Sequence, residues 1–262
     1  MIATVARFSL LEVRHNRLPW LAGLLLLVSL LFAQFIGALL LTEHRAIQAS
    51  VLGSMLRLGL VFLVGLYVVS SLLREQQDRT IDLLLAMDAP RAHYALGKLL
   101  AFTVSAAALA AVAGIAVLAY ADPLAALRWS LSLFCELVLI VALATLLAFT
   151  FRNVVTALAA LGAIYVAARA LGGLQLLIAD PISRTGGAAQ VASEYFLIGL
   201  AWLLPDLWRF TDATWLGHGS GTWADLGLVV GQTLVYLPLV IAAALFDLYR
   251  RAYRCGGAAC NG

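Results

Sequence analysis

The sequence predicts an all-α polytopic membrane protein with six transmembrane helices and both termini inside. An amphipathic interfacial helix is expected before the first span and a short re-entrant segment before the last. Three observations carry this. The 262 residues are 63% apolar and only 12% charged, against about 25% charged in an ordinary soluble domain. Six apolar runs each reach the length needed to cross a bilayer core of about 30 Å, which takes about 20 residues of helix. The basic residues, nearly all arginine with Lys98 the single lysine, are distributed unevenly between the loops. The small net charge of +3 gives no sign of a nucleic-acid partner.

The chain is read as one transmembrane domain over residues 1–262. Residues 1–17 carry Val5, Phe8 and Leu11 at helical spacing among Arg7, Arg14 and Arg17. They form either a helix in the headgroup plane or a positive flank that sets topology, and both fit the pattern. The first run, Leu18–Leu41, is too long for a signal-peptide core and lacks a small-residue cleavage site, so it is a retained span. The other runs are Met55–Leu73, Leu99–Ala119, Trp129–Phe151, Val154–Ile178 and Leu226–Leu248. The apolar piece Tyr195–Leu204, closed by Pro205, is too short to cross and reads as re-entrant or interfacial.

Alternating these spans with the N-terminus inside leaves eleven basic residues on the cytoplasmic side: Arg7, Arg14, Arg17, Arg74, Arg79, Arg91, Lys98, Arg152, Arg250, Arg251 and Arg254. Only Arg45, Arg128, Arg184 and Arg209 fall outside, which is the positive-inside bias. The long outer interval 179–227 collects acids and the tryptophans Trp202, Trp208, Trp215 and Trp223, which suit an interfacial belt. Cys135 lies in an apolar run, and Cys255 and Cys260 lie in the tail 249–262. Two thiols complete no tetrahedral metal site, so no metal is expected and the tail is read as disordered.

Charge is concentrated in "REQQDRTIDLLLAMDAPRAHYALGK", residues 74–98, the large cytoplasmic loop on this topology. Thr80 suits the N-cap of a short helix, with Asp82 in its first turn. Glu75 and Arg79 stand at i,i+4 in the favourable order. A short surface helix with Leu83, Leu84 and Leu85 either enters a groove on a partner protein or lies back on lipid and neighbouring spans.

Three ionisable residues fall inside spans, where charge is costly and needs a reason. Arg57, near the outer end of its run, is expected to snorkel. Glu136 and Arg169 are deeper and form either an ion pair or part of a translocation path. Catalytic motifs are missing. Gly97-Lys98 is followed by leucine, with Ala92 where a phosphate-binding loop needs glycine. In "GHGSG", residues 217–221, Ser220 has His218 before Gly219 in an outer loop, which reads as a polar turn and makes an intramembrane hydrolase the weakest reading.

The run Glu75, Thr80, Ile81, Asp82, Leu83, Leu84, Leu85, Pro90, Arg91, Tyr94, Leu96, Gly97 and Lys98 resembles the coupling region of ABC-2 type transporter permeases, with Arg79 where that family often has glycine. "WLLPDLWRFTD", from Trp202, is similar to a Leu-Pro-Asn/Asp segment in the branch associated with maturation of copper enzymes. The resemblance implies a non-catalytic permease in the bacterial cytoplasmic (inner) membrane. It would pair with a second permease copy or homologue and with two copies of a cytoplasmic ATPase subunit that bind ATP and Mg. It implies ATPase coupling through Glu75, Asp78, Arg79, Thr80, Asp82, Leu84 and Leu85, with a second contact through Glu12 and Arg14. It also implies an extracytoplasmic gate at Tyr195, Trp202 and Pro205. The alternative is a complex that transports nothing and transmits ATP-driven force to a periplasmic partner.

Overall fold

The computed structural model describes residues 7, 18–39, 44–77, 91–179, 199, 205–210, 214–217, 219 and 221–258. Among them there is no strand. Six long helices cover the six predicted spans: α1 (Leu18–Leu39), α2 (His44–Gln77), α3 (Arg91–Val117), α4 (Pro123–Thr150), α5 (Val154–Ala179) and, after the four-residue α6 (Thr214–Gly217), α7 (Trp223–Ala258). Each is long and apolar enough to cross a membrane, so the protein is an all-α, multi-pass membrane protein by length and composition. A 3₁₀ turn, Leu207–Arg209, precedes α6.

Several helices overrun their apolar runs at one end or both. α2 begins at His44 rather than Met55 and ends at Gln77, while α3 begins at Arg91 rather than Leu99. Hydropathy marks only the stretch that lipid or core must cover, whereas i→i−4 hydrogen bonding continues into polar flanks such as Arg45, Gln48 and Gln76. The same continuation corrects the expectation of a disordered tail, because α7 runs through Cys255 to Ala258. The interfacial helix expected over 1–17 and the piece Tyr195–Leu204 lie outside the described residues, Arg7 and Gly199 excepted.

α4 is the central post. Of its most apolar stretch 78% is buried, against 11% in α1 and 17% in α7. A helix apolar all round has no face to present to water, and here packing partners on every side explain why. α2, α3, α5, α6 and α7 all pack on α4, while α1 packs mainly on α2. Pro123 opens α4 within the first turn, where its missing N–H costs nothing. Helices in lipid associate by close packing of small residues, and the α3–α4 seam follows this rule. Ala106, Ala110 and Ala113 are buried, Ser130 Oγ donates to the Ala110 carbonyl at 2.9 Å, and a Cβ added at Gly114 would meet Ser130 Oγ at 2.7 Å.

Both ends of the bundle are pinned. Beyond α6, Thr222 and Asp225 cap α7 reciprocally: Thr222 N–H donates to Asp225 Oδ2 at 2.9 Å and Asp225 N–H to Thr222 Oγ1 at 3.2 Å. Arg128 of α4 donates to the Gly221 carbonyl and stands over the Trp223 ring. At the opposite end, Gln76 of α2 donates to the Ala148 carbonyl of α4 at 3.2 Å.

Candidate functional site

Two polar clusters, each a glutamate, a tyrosine and a cation, lie within the largely apolar bundle. The first closes the base of segment 78–90. α3 starts with the polar turn that follows that segment, and residues four apart on a helix share a face. Tyr94 and Lys98 therefore project together, and both reach the carboxylate of Glu75 in the last turns of α2: the Tyr94 hydroxyl donates to Oε2 and Lys98 Nζ to Oε1. The Lys98 side chain is 6% exposed and that of Glu75 17%. Lys98 Nζ also stands 5.9 Å from the Phe102 ring centroid, and Phe102 meets Tyr67 edge-on at 5.8 Å. The ammonium is thus paired on one side and held by an aromatic face on the other.

The second site is deep. Glu136 is at the midpoint of α4 and completely buried. On α5, Tyr165 and Arg169 again stand four apart. The Tyr165 hydroxyl donates to Glu136 Oε1 at 3.0 Å, and Arg169 Nη1 lies 3.6 Å from the same oxygen. Arg169 Nη1 also donates to the Leu207 carbonyl at 2.9 Å. Phe62 of α2 packs edge-on against Tyr165, with ring centroids 6.2 Å apart. Arg57 of α2 acts electrostatically on Tyr165 and is 8% exposed. The snorkelling expected of Arg57 is therefore corrected: the residue is buried within the bundle.

A carboxylate taken out of water is tolerated only when paired and hydrogen-bonded. Glu75 and Glu136 each achieve this with one phenol and one cation. In the deep site the phenol and guanidinium hold the carboxylate in place, and the arginine fork has donors to spare for a second acceptor. That acceptor is the Leu207 backbone carbonyl, at the start of the 3₁₀ turn.

Of the residues singled out by sequence, Glu75 is in the first site and Glu136 with Arg169 in the second. Pro205 is buried beside the 3₁₀ turn, and Leu207 N–H donates to its carbonyl at 2.8 Å. Asp78, Arg79, Thr80, Asp82, Leu84, Leu85, Glu12, Arg14, Tyr195 and Trp202 lie outside the described residues. Sequence reasoning missed Tyr165 and Leu207 as parts of the deep site. The spacing Tyr-x-x-x-Arg beside a membrane-depth glutamate was a usable signal for Tyr165, whereas a backbone carbonyl leaves none. Gly219, with φ of 64°, adopts the left-handed conformation that suits glycine. Among the described residues no three His, Cys, Asp or Glu side chains group as a metal site.

Comparison of the chain with protein-family models and with curated proteins finds no match. The functional reading therefore rests on the residues themselves.

Proposed function

We propose that the protein is the membrane permease subunit of an ABC-2 type transporter, with N- and C-termini in the cytoplasm, driven by a separate ATPase. The observation that carries this reading is the convergence of Glu75, Tyr94 and Lys98 at one point. These are three of the positions through which the sequence resembles the family's coupling region, and their meeting ties the two ends of segment 78–90 together. A loop tied at its base passes a push to both attached helices at once, whereas an open loop absorbs it. In the proposed cycle two ATPase copies bind ATP and Mg and close, pressing on residues 78–90. The clasp makes α2 and α3 move as a unit, and access changes at the interface with a second permease copy.

Affinity capture from detergent-solubilised membranes tests the reading, comparing wild type with the double variant Asp82→Arg/Leu85→Asp. Co-purification of an ATPase subunit with wild type and its loss from a folded double variant is the expected result. A folded, abundant protein that brings down no ATPase overturns it.

A further inference from the structure

The end of the bundle that carries the α3–α4 and α6–α7 connections presents two arginine–tryptophan pairs. Arg128 of α4 stands over the Trp223 ring at 5.9 Å, and Arg209 stands over the Trp208 ring at 5.2 Å. Trp208, Arg209 and Trp223 are exposed and Arg128 is half-buried. An aromatic face under each guanidinium holds the charge in place without consuming its N–H groups.

The two pairs lie at one level. Leu161 of α5 and Ile140 of α4 flank the same glycine, Gly65 of α2. Gly172, against which the Trp208 ring packs, is eleven residues beyond Leu161, and Trp129, next to Arg128, is eleven residues back from Ile140. Each interval is about 17 Å of helix, and both lead to the same end because α4 and α5 run antiparallel. At the other end of the bundle Gln76 bonds the Ala148 carbonyl. Arg128 and Ala148 are twenty residues apart on α4, or about 30 Å, the thickness of the hydrocarbon core of a bilayer. The two polar levels therefore bracket a bilayer, and the pairs stand where lipid phosphates lie.

The arginines are free to reach those phosphates. Arg128 Nε donates to the Leu124 carbonyl at 3.1 Å, one turn nearer the end of the bundle, so the side chain leads away from the core as a snorkelling arginine does. Its Nη1 donates to the Gly221 carbonyl, which leaves part of the five-donor fork for an external acceptor. Apart from its ring contact, Arg209 makes among the described residues only the 4.0 Å approach to Asp206.

We propose that Arg128 with Trp223 and Arg209 with Trp208 are two sites for the phosphate group of membrane phospholipids. The guanidinium takes phosphate oxygens through charge-assisted hydrogen bonds, and the indole fills the boundary between headgroup and acyl chain. The inference is independent of the transporter reading and of which leaflet meets this end.

The test titrates the full chain in maltoside detergent with dioleoylphosphatidylglycerol and counts bound lipid by native mass spectrometry. Dioleoylglycerol supplies the same chains without phosphate, and inorganic phosphate supplies the anion without chains. Phosphatidylglycerol is expected to bind, dioleoylglycerol to bind at least tenfold more weakly, and inorganic phosphate at equal concentration to displace nothing. Arg128→Gln and Arg209→Gln should each weaken one binding event about tenfold, the factor for losing one hydrogen bond from a charged donor. Lipid binding that the double variant leaves unchanged, equal binding of dioleoylglycerol, or displacement by inorganic phosphate overturns the inference. Should Arg128→Gln fail to fold, because it also releases the Gly221 carbonyl, Arg209→Gln decides alone: a tenfold weaker binding event supports the proposal, and unchanged binding overturns it.

Discussion

Glu75–Tyr94–Lys98 and Glu136–Tyr165–Arg169 are the same chemical unit placed at two depths. In each, a glutamate on one helix meets a tyrosine and a cation four residues apart on the next. They differ in surroundings and in the cation. The first lies at the ends of two helices, its carboxylate is partly exposed, and its cation is an ammonium against an aromatic ring. The second lies mid-bundle, its carboxylate is fully buried, and its cation is a guanidinium shared with a backbone carbonyl. Lysine is a compact charge suited to one anchoring point, whereas arginine's planar fork serves two partners. The unit at the helix ends can therefore fasten two helices, and the deep unit can fasten two helices and a third segment.

Replacing the carboxylates separates the two units most sharply. Glu136→Leu leaves buried arginine charge uncompensated, and unfolding followed by intrinsic fluorescence in detergent should show a loss of about 3–5 kcal/mol. The exchange Glu136→Arg/Arg169→Glu should recover a large part of that loss; a cargo contact in place of a pair would give no recovery. Lys98→Met should cost about 1–2 kcal/mol, because Glu75 retains some contact with water and keeps Tyr94. On the proposed function, it should nonetheless uncouple ATP hydrolysis from the permease. ATPase activity in reconstituted liposomes measures that, and unaltered coupling would remove the clasp from the mechanism.

The two phenols give a finer comparison. Tyr165→Phe removes a hydrogen bond to a fully buried carboxylate and should destabilise by about 1.5–3 kcal/mol, while Tyr94→Phe should cost less because water can replace the hydroxyl. Equal losses would mean that depth does not distinguish the sites. The smallest effect is expected for Arg209→Ala. Its 4.0 Å pair with Asp206 is 47% exposed on the arginine side, and thermal unfolding should shift by no more than the equivalent of about 0.5 kcal/mol.

The number and order of spans were legible because hydropathy reports directly on what a bilayer requires. Helix ends were not, since residues such as His44, Gln48 and Arg91 are polar yet remain in register with the hydrogen-bond ladder. Glu136 and Arg169 were legible as charges needing partners. Arg57 was misread because depth along a helix says nothing about which neighbour faces it. Bottom-up spacing set Glu75 against Arg79, which lies outside the described residues; the fold joins Glu75 to Tyr94 and Lys98 across a helix–helix contact, which only the family resemblance grouped together. The Leu207 carbonyl could not have been found from sequence, because every residue carries the same carbonyl.

α2 runs for 34 residues without a proline, a hydrogen-bonded rod about 50 Å long. Ser50 near its start touches Gly217 of α6, Arg57 and Phe62 stand beside the deep triad, and Glu75 near its end grips α3. Such a rod acts as a lever. Tilting it by about 5° about one end carries the other end through roughly 4 Å, given its length, which is more than a hydrogen bond can follow. A mechanical stroke applied at Glu75 can therefore register at α6 and beside the deep triad without any chain of side-chain rearrangements between them.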